Sequence, residues 1–163
     1  MFIQARQPNI MTKPRQRITV LLADDNKIVR ESFREILQRE EDVEVVGEAK
    51  NGLEAVALVK KLRPAVVLMD VAMPLLSGLK ATSQILQAFP ATKVLMLSAH
   101  SDEAYIVEAM HSGAMGYLIK QTSAESVCGA IREVAKGHTF FSPSIPRRLR
   151  KASSCAEANT RGR

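Results

Sequence analysis

The sequence predicts a doubly wound α/β domain built on a five-stranded parallel sheet. Three observations predict it. Short apolar runs alternate five times with stretches of helical periodicity, nearly every run is apolar on both faces, and each gives way to polar residues or a turn. A sheet covered by helices on both sides requires strands of this kind, and a helix between strands is how parallel neighbours are joined.

The elements run in order. Ile18 to Ala23 is the first strand and stops at Asp24-Asp25-Asn26; a helix comes next with Ile28, Val29, Phe33, Ile36 and Leu37 on one stripe. Val43 to Ala49 reads as the second strand, and Asn51-Gly52 turns out of it into a helix carrying Leu53, Val56, Ala57, Val59 and Lys60. That helix must stop before Pro64, because the residue preceding a proline is pushed out of the helical region. Ala65 to Met69 is the third strand, ending at Asp70, and Met73-Pro74 through Gly78 is a loop. The next helix runs to about Phe89, where Pro90 breaks it. Val94 to Leu97 is the fourth strand, ending at Ser98, with a helix from Ser101 or Asp102 that closes at His111-Ser112-Gly113-Ala114. Gly116 to Ile119 is the fifth strand, ending at Lys120, and a last helix from Ser123 to Lys136 is capped by Gly137.

Composition excludes several classes. The 163 residues suit one domain, and 46% hydrophobic with 25% charged residues is a globular balance. The apolar runs are all shorter than the roughly 18 residues that a membrane helix needs. The first 17 residues lack the apolar centre of a secretory signal, so a cytoplasmic location away from membranes is expected. Cys128 and Cys155 make neither a disulfide framework nor a metal cluster. The net charge of +6 invites a nucleic-acid reading, but its distribution opposes it. Residues 1–17 hold four basic and no acidic groups, and residues 143–163 hold six basic groups against Glu157. The middle has thirteen basic against sixteen acidic groups, so the excess belongs to the tails.

In doubly wound sheets, ligands bind beyond the carboxyl ends of the strands. There this sequence places Asp24, Asp25, Asp70, Ser98 and Lys120. Each alone has an ordinary role. Asp25 or Asn26 can cap the first helix, Asp70 can start an Asx turn, Ser98 can cap the fourth helix, and Lys120 can be a solvated charge. Met69, Met96 and Leu97 read as core, and His100 and His111 as surface. Their joint placement is what points to a site. Three neighbouring carboxylates repel unless a cation sits among them, and an all-oxygen set suits Mg²⁺ better than Zn²⁺, with Mn²⁺ as a substitute. A carboxylate that can attack phosphorus, a metal, a hydroxyl and an ammonium are together the parts that phosphoryl transfer needs. Asp70, single and central, is the candidate nucleophile.

Across about residues 18–138 the chain resembles the receiver domain of two-component response regulators, the CheY-like (βα)5 flavodoxin-like fold. The matching pieces are Leu-Leu-Ala-Asp-Asp-Asn at 21–26, Val-Leu-Met-Asp-Val-Ala-Met-Pro at 67–74 with Gly78, Leu-Ser-Ala at 97–99, and Gly-Tyr-Leu-Ile-Lys at 116–120. The resemblance implies that Asp70 is the phosphoacceptor and that Asp25 ligates Mg²⁺ with Asp24 assisting. The backbone carbonyl of Ala72 would complete the protein ligands, and Ser98 and Lys120 would bind the phosphoryl group. Tyr117 would be an aromatic switch that turns inward when Ser98 is drawn to the phosphoryl group, changing the surface of the fourth helix, fifth strand and fifth helix. The implied donor is a phosphohistidine on a sensor histidine kinase or phosphotransfer protein, and homodimerisation on phosphorylation is a further expectation. Many relatives carry a larger polar residue at the position of Ala72, where a methyl can neither orient nor block an attacking water.

Val134 to Ser144 is similar to the receiver end of the NarL/LuxR-type subfamily, in which a helix-turn-helix output domain comes after it. Only some 20 residues remain here, without an apolar stripe, so no DNA-binding domain is expected within the sequence. The expected organisation is a basic extension over 1–17, a receiver over 18–138, and a basic, linker-like, disordered tail over 139–163. The chain is thus expected to be a signalling domain that regulates transcription in its relatives, and not an enzyme. Two readings compete with it. An Asp-nucleophile phosphatase or phosphotransferase of the dehalogenase type would place a second Asp where Ala72 stands. A nucleic-acid binder would act through the basic tails, against an acidic middle.

Overall fold

The structure, a computed structural model, describes residues 14–150. The extension before residue 14 and the tail beyond residue 150, with Cys155, lie outside the described residues. The strands are β1 (Ile18–Ala23), β2 (Val43–Ala49), β3 (Val66–Asp70), β4 (Lys93–Ser98), β5 (Gly116–Ile119) and β6 (Phe140–Phe141). The helices are α1 (Lys27–Gln38), α2 (Gly52–Leu62), α3 (Gly78–Ala88), α4 (Glu103–His111), α5 (Ala124–Ala135) and α6 (Arg147–Arg150). The strands form one parallel sheet in the order β2-β1-β3-β4-β5-β6.

Strand alternation divides the core into two layers. Leu21, Ala23, Val67, Met69, Val94, Met96 and Tyr117 face α2, α3 and α4. Val20, Leu22, Val66, Leu68, Leu95, Leu97 and Leu118 face α1 and α5, where Phe33, Leu37, Val127 and Ile131 meet them. Met69, Met96 and Leu97 are buried, as expected of core residues.

Helix ends obey local chemistry. The Asn26 side chain accepts from the backbone N–H groups of Ile28 and Val29 and so caps α1, and that of Asn51 accepts from Glu54. Asp102 precedes α4 without a side-chain cap, and Ser98 stands outside that helix, on the rim. Gly137 ends the turn after α5 at φ 88°, the left-handed conformation that glycine adopts without a Cβ clash.

The structure departs from the expected fold at four places. The sheet has a sixth strand. Ile28 is 72% and Leu53 54% exposed; Phe33, Leu37 and Val59 are buried as expected, joined by Arg30 on α1 and by Gly52 and Ala55 on α2. α4 starts at Glu103, slightly later than the expected Ser101 or Asp102. The expected tail is structured over its first part: β6 pairs with β5 (Gly116↔Phe140, Tyr117↔Phe141), and Ile145 and Leu149 are buried against the α4 side of the core. The boundary drawn at residue 138 therefore falls before chain that completes the core.

Candidate functional site

The strand register brings the candidate residues to one height. β1 and β3 pair Ala23 with Met69, β3 and β4 pair Asp70 with Leu97, and β4 and β5 pair Ser98 with Ile119. Asp24, Asp70, Ser98 and Lys120 therefore emerge together on the carboxyl rim. The rim centres on the β1–β3 junction, where chain progression reverses direction, the place at which doubly wound sheets bind ligands.

Asp24, Asp25 and Asp70 each bring a carboxylate oxygen within 4.8 Å of the others. Asp24 and Asp70 are buried, whereas Asp25 and Ala72 are exposed, so the cluster is open on one side. Lys120 Nζ stands 2.8 Å from Asp24 Oδ2 and 3.3 Å from Asp70 Oδ2. Asp24 Oδ2 is buried, and the Lys120 ammonium is the cation that faces it. The Ala72 N–H donates a long 3.4 Å bond to Asp70 Oδ1, the remnant of the Asx turn.

The electrostatics suit a cation. Burial, and then the Asp24 charge, raise the Asp70 carboxyl to about 6, with Lys120 pulling the other way. For Lys120, burial disfavours the ammonium, but Asp24 and Asp70 outweigh it and the group titrates above its usual range. One ammonium facing three carboxylates leaves the rim short of positive charge. An all-oxygen donor set, an open side and three carboxylates sharing one ammonium suit a hard divalent ion such as Mg²⁺.

Ser98 is buried at the end of β4, and its Oγ accepts from the His100 N–H at 3.1 Å. Tyr117 is fully buried, and its hydroxyl donates to the His100 carbonyl at 3.1 Å. Burial pushes that phenol above its usual range. His100 and His111 have exposed side chains, as expected, but the His100 backbone joins Ser98 to Tyr117.

Two contributors owe their roles to contacts that only the fold creates. Arg30, 6% exposed on α1, donates from Nη1 to the Asp24 carbonyl at 2.7 Å and pairs through Nε with Glu48 at 3.3 Å. It fixes the turn that carries Asp24 and Asp25. Gly78 allows α3 to start against the end of β3, because a Cβ there would lie 1.8 Å from the Asp70 carbonyl oxygen. The pairing of Gly78 with the 67–74 run can be read in the sequence, but its reason is this contact.

The response regulator receiver domain family matches residues 20–132. The chain belongs to that family. Among curated relatives, this receiver is 38% identical over 135 residues to the transcriptional regulatory protein DegU of Brevibacillus brevis, covering 83% of this chain and 57% of that protein. It is 42% identical over 127 residues to the transcriptional regulatory protein YxjL of Bacillus subtilis strain 168, covering 78% of this chain and 58% of that protein. The chain thus spans somewhat over half the length of the curated relatives it matches. Among solved structures, the signal receiver domain of the response regulator NarL from Mycobacterium tuberculosis superposes with a TM-score of 0.74 at 32% identity, covering 76% of this chain and 99% of that one. The NarL-type affinity expected from Val134 to Ser144 is in keeping with these relatives. Among the described residues no helix is long and apolar enough to cross a membrane.

Proposed function

We propose that this receiver accepts a phosphoryl group on Asp70 and that the modification biases the packing of α4, β5 and α5. The observation that carries the reading is the grouping of Asp70 with two further carboxylates within 4.8 Å and with the Lys120 ammonium at 3.3 Å, at the β1–β3 junction.

An Asp70 carboxylate oxygen attacks phosphorus while the bond from phosphorus to the donor's imidazole nitrogen breaks, and the imidazole leaves with the electron pair. The donor is a phosphohistidine on a sensor histidine kinase or phosphotransfer protein. Asp24, Asp25, Asp70 and the Ala72 carbonyl would hold Mg²⁺, which when bound supplies neutralisation of the charge on carboxylate and phosphoryl oxygens. Lys120 keeps a positive charge beside the new phosphoryl group, and the Ser98 hydroxyl has its proton to donate while still accepting from His100.

The added charge of about −2 draws Ser98 and Lys120 toward Asp70. The modification shifts the balance between two packings around Tyr117, which is buried at the Ser98 side of the sheet. The surface whose population shifts is α4 with α6 lying on it, β5 and α5, and homodimerisation through it is the nearest output. The names of the relatives point to transcription as the process controlled.

The test offers acetyl phosphate and Mg²⁺ to the wild type and to Asp70→Asn. The wild type gains one phosphoryl mass and Asp70→Asn gains none; equal modification of both removes Asp70 from the role.

A further inference from the structure

The last strand and the short helix after it do more than cover the sheet edge. Ser142, directly after β6, is 2% exposed, and its N–H and hydroxyl both find their partners around the end of β5. The N–H donates to the Tyr117 carbonyl at 3.0 Å. The Oγ accepts from the Ile119 N–H at 3.0 Å and shares a hydrogen bond with Thr122 Oγ1, also at 3.0 Å. Ile119 and Thr122 bracket Lys120, and the Thr122 N–H closes their turn on the Ile119 carbonyl at 2.8 Å. One hydroxyl therefore ties both shoulders of the turn from which Lys120 reaches the rim.

Ser142 is itself held. Phe141 pairs with Tyr117, Ile145 and Leu149 are buried beside it in sequence, and Arg150 Nη2 donates to the Ser142 carbonyl at 3.1 Å. On the other side of the turn, the Lys120 N–H donates to the Ser98 carbonyl at 2.7 Å. The lysine backbone is thus clamped between the Ser98 end of β4 and a serine from beyond the residues that the family match covers. A long, flexible side chain can hold its ammonium at 2.8 and 3.3 Å from two carboxylates only if its base is fixed.

We propose that Ser142 is a positioning residue for Lys120, setting the ammonium where it meets the phosphoryl group on Asp70. The proposal rests on the reading of Lys120 as the phosphoryl-binding cation. It extends the working site to a segment that sequence patterning assigns to the tail.

The test measures binding of beryllofluoride in the presence of Mg²⁺, by fluorine NMR of the full chain, with thermal unfolding of each variant alongside. Ser142→Ala weakens binding about fivefold, the order of one lost hydrogen bond. Ser142→Thr, which keeps the hydroxyl, restores it. Thr122→Val, which keeps the Ile119 bond, weakens it by less. In a Lys120→Gln background, Ser142→Ala adds nothing further, because its effect runs through the lysine. Unchanged affinity in Ser142→Ala, or an equal further loss in the Lys120→Gln background, overturns the proposal; should Ser142→Ala fail to fold, Thr122→Val against Lys120→Gln makes the same decision. Wild type that binds no beryllofluoride, or Asp70→Asn that binds as well as wild type, instead sinks the phosphoacceptor reading beneath it.

Discussion

Asp70 is a buried carboxylate whose ionisation costs the fold, and that cost has a sign. Its carboxyl is raised from 3.8 to about 6 by burial and by Asp24. A group with a raised folded value favours the fold while protonated, so that contribution is complete below pH 3.8 and is lost as pH rises through about 6. At neutral pH the ionised carboxylate therefore destabilises the fold. Asp70→Asn is expected to unfold at higher temperature than wild type at pH 7.5 in a chelator, by the equivalent of about 1–3 kcal/mol, with the gap closing toward pH 4. Millimolar Mg²⁺ is expected to narrow the gap from the other side, by binding the folded wild type. An Asn variant less stable than wild type at pH 7.5 without metal would contradict this account. At this scale the sequence revealed the rim but not its supports. Asp24, Asp25, Asp70, Ser98 and Lys120 could be found because each lies at the end of an apolar run. Arg30 could not, because a guanidinium on a helix reads as solvated until its partners, the Asp24 carbonyl and Glu48, are brought to it by the fold.

The elements were legible where burial is two-sided. β1, β3, β4 and β5 read as unbroken apolar runs because helices cover both faces, whereas β6 is only two residues long and offers no period to detect. Helix faces were less legible. Ile28 belongs by spacing to the apolar stripe of α1, yet it sits in the first turn and is exposed to solvent. Joints between elements are where the site is most exposed to mutation. α3 begins with Gly78, whose N–H donates to the Val71 carbonyl at 2.9 Å while its Cα leaves no room for a Cβ beside the Asp70 carbonyl. The obstructing atom is backbone, so it cannot rotate aside. Gly78→Ala must push α3 off the end of β3 or twist Asp70 out of line. The expected cost is above about 2 kcal/mol in chemical denaturation, together with loss of acetyl phosphate reactivity. Wild-type stability and labelling in this variant would mean that the loop absorbs the methyl, and that the close approach is dispensable.

For the whole molecule, the question is where the folded unit ends. The resemblance to receiver domains places the end at about residue 138, just past the Gly137 that caps the last expected helix. Sequence could not show that Phe140 and Phe141 find the unpaired edge of β5, nor that Ile145 and Leu149, four apart, reach the cluster of Ile106, Ala109 and Met110 on α4. Both depend on surfaces assembled from distant chain. The basic residues there are also less free than composition implies, since Arg148 pairs with Glu103 at the start of α4 and Arg150 bonds back to the carbonyls of Ser142 and Ile145. The two boundaries predict different outcomes for one substitution. In a linker, Ile145→Ala is neutral to within about 0.5 kcal/mol. In the folded unit, Ile145 is 1% exposed and its removal opens a cavity between α4 and the chain before α6, costing about 2–4 kcal/mol. Denaturant unfolding decides between them. Because Ile145 and Tyr117 share one apolar cluster, the same variant is also expected to loosen the β4–α4 loop, seen as faster hydrogen exchange over residues 98–106. A stability change without that loosening would leave the segment as a cover for the sheet edge, uncoupled from the switch.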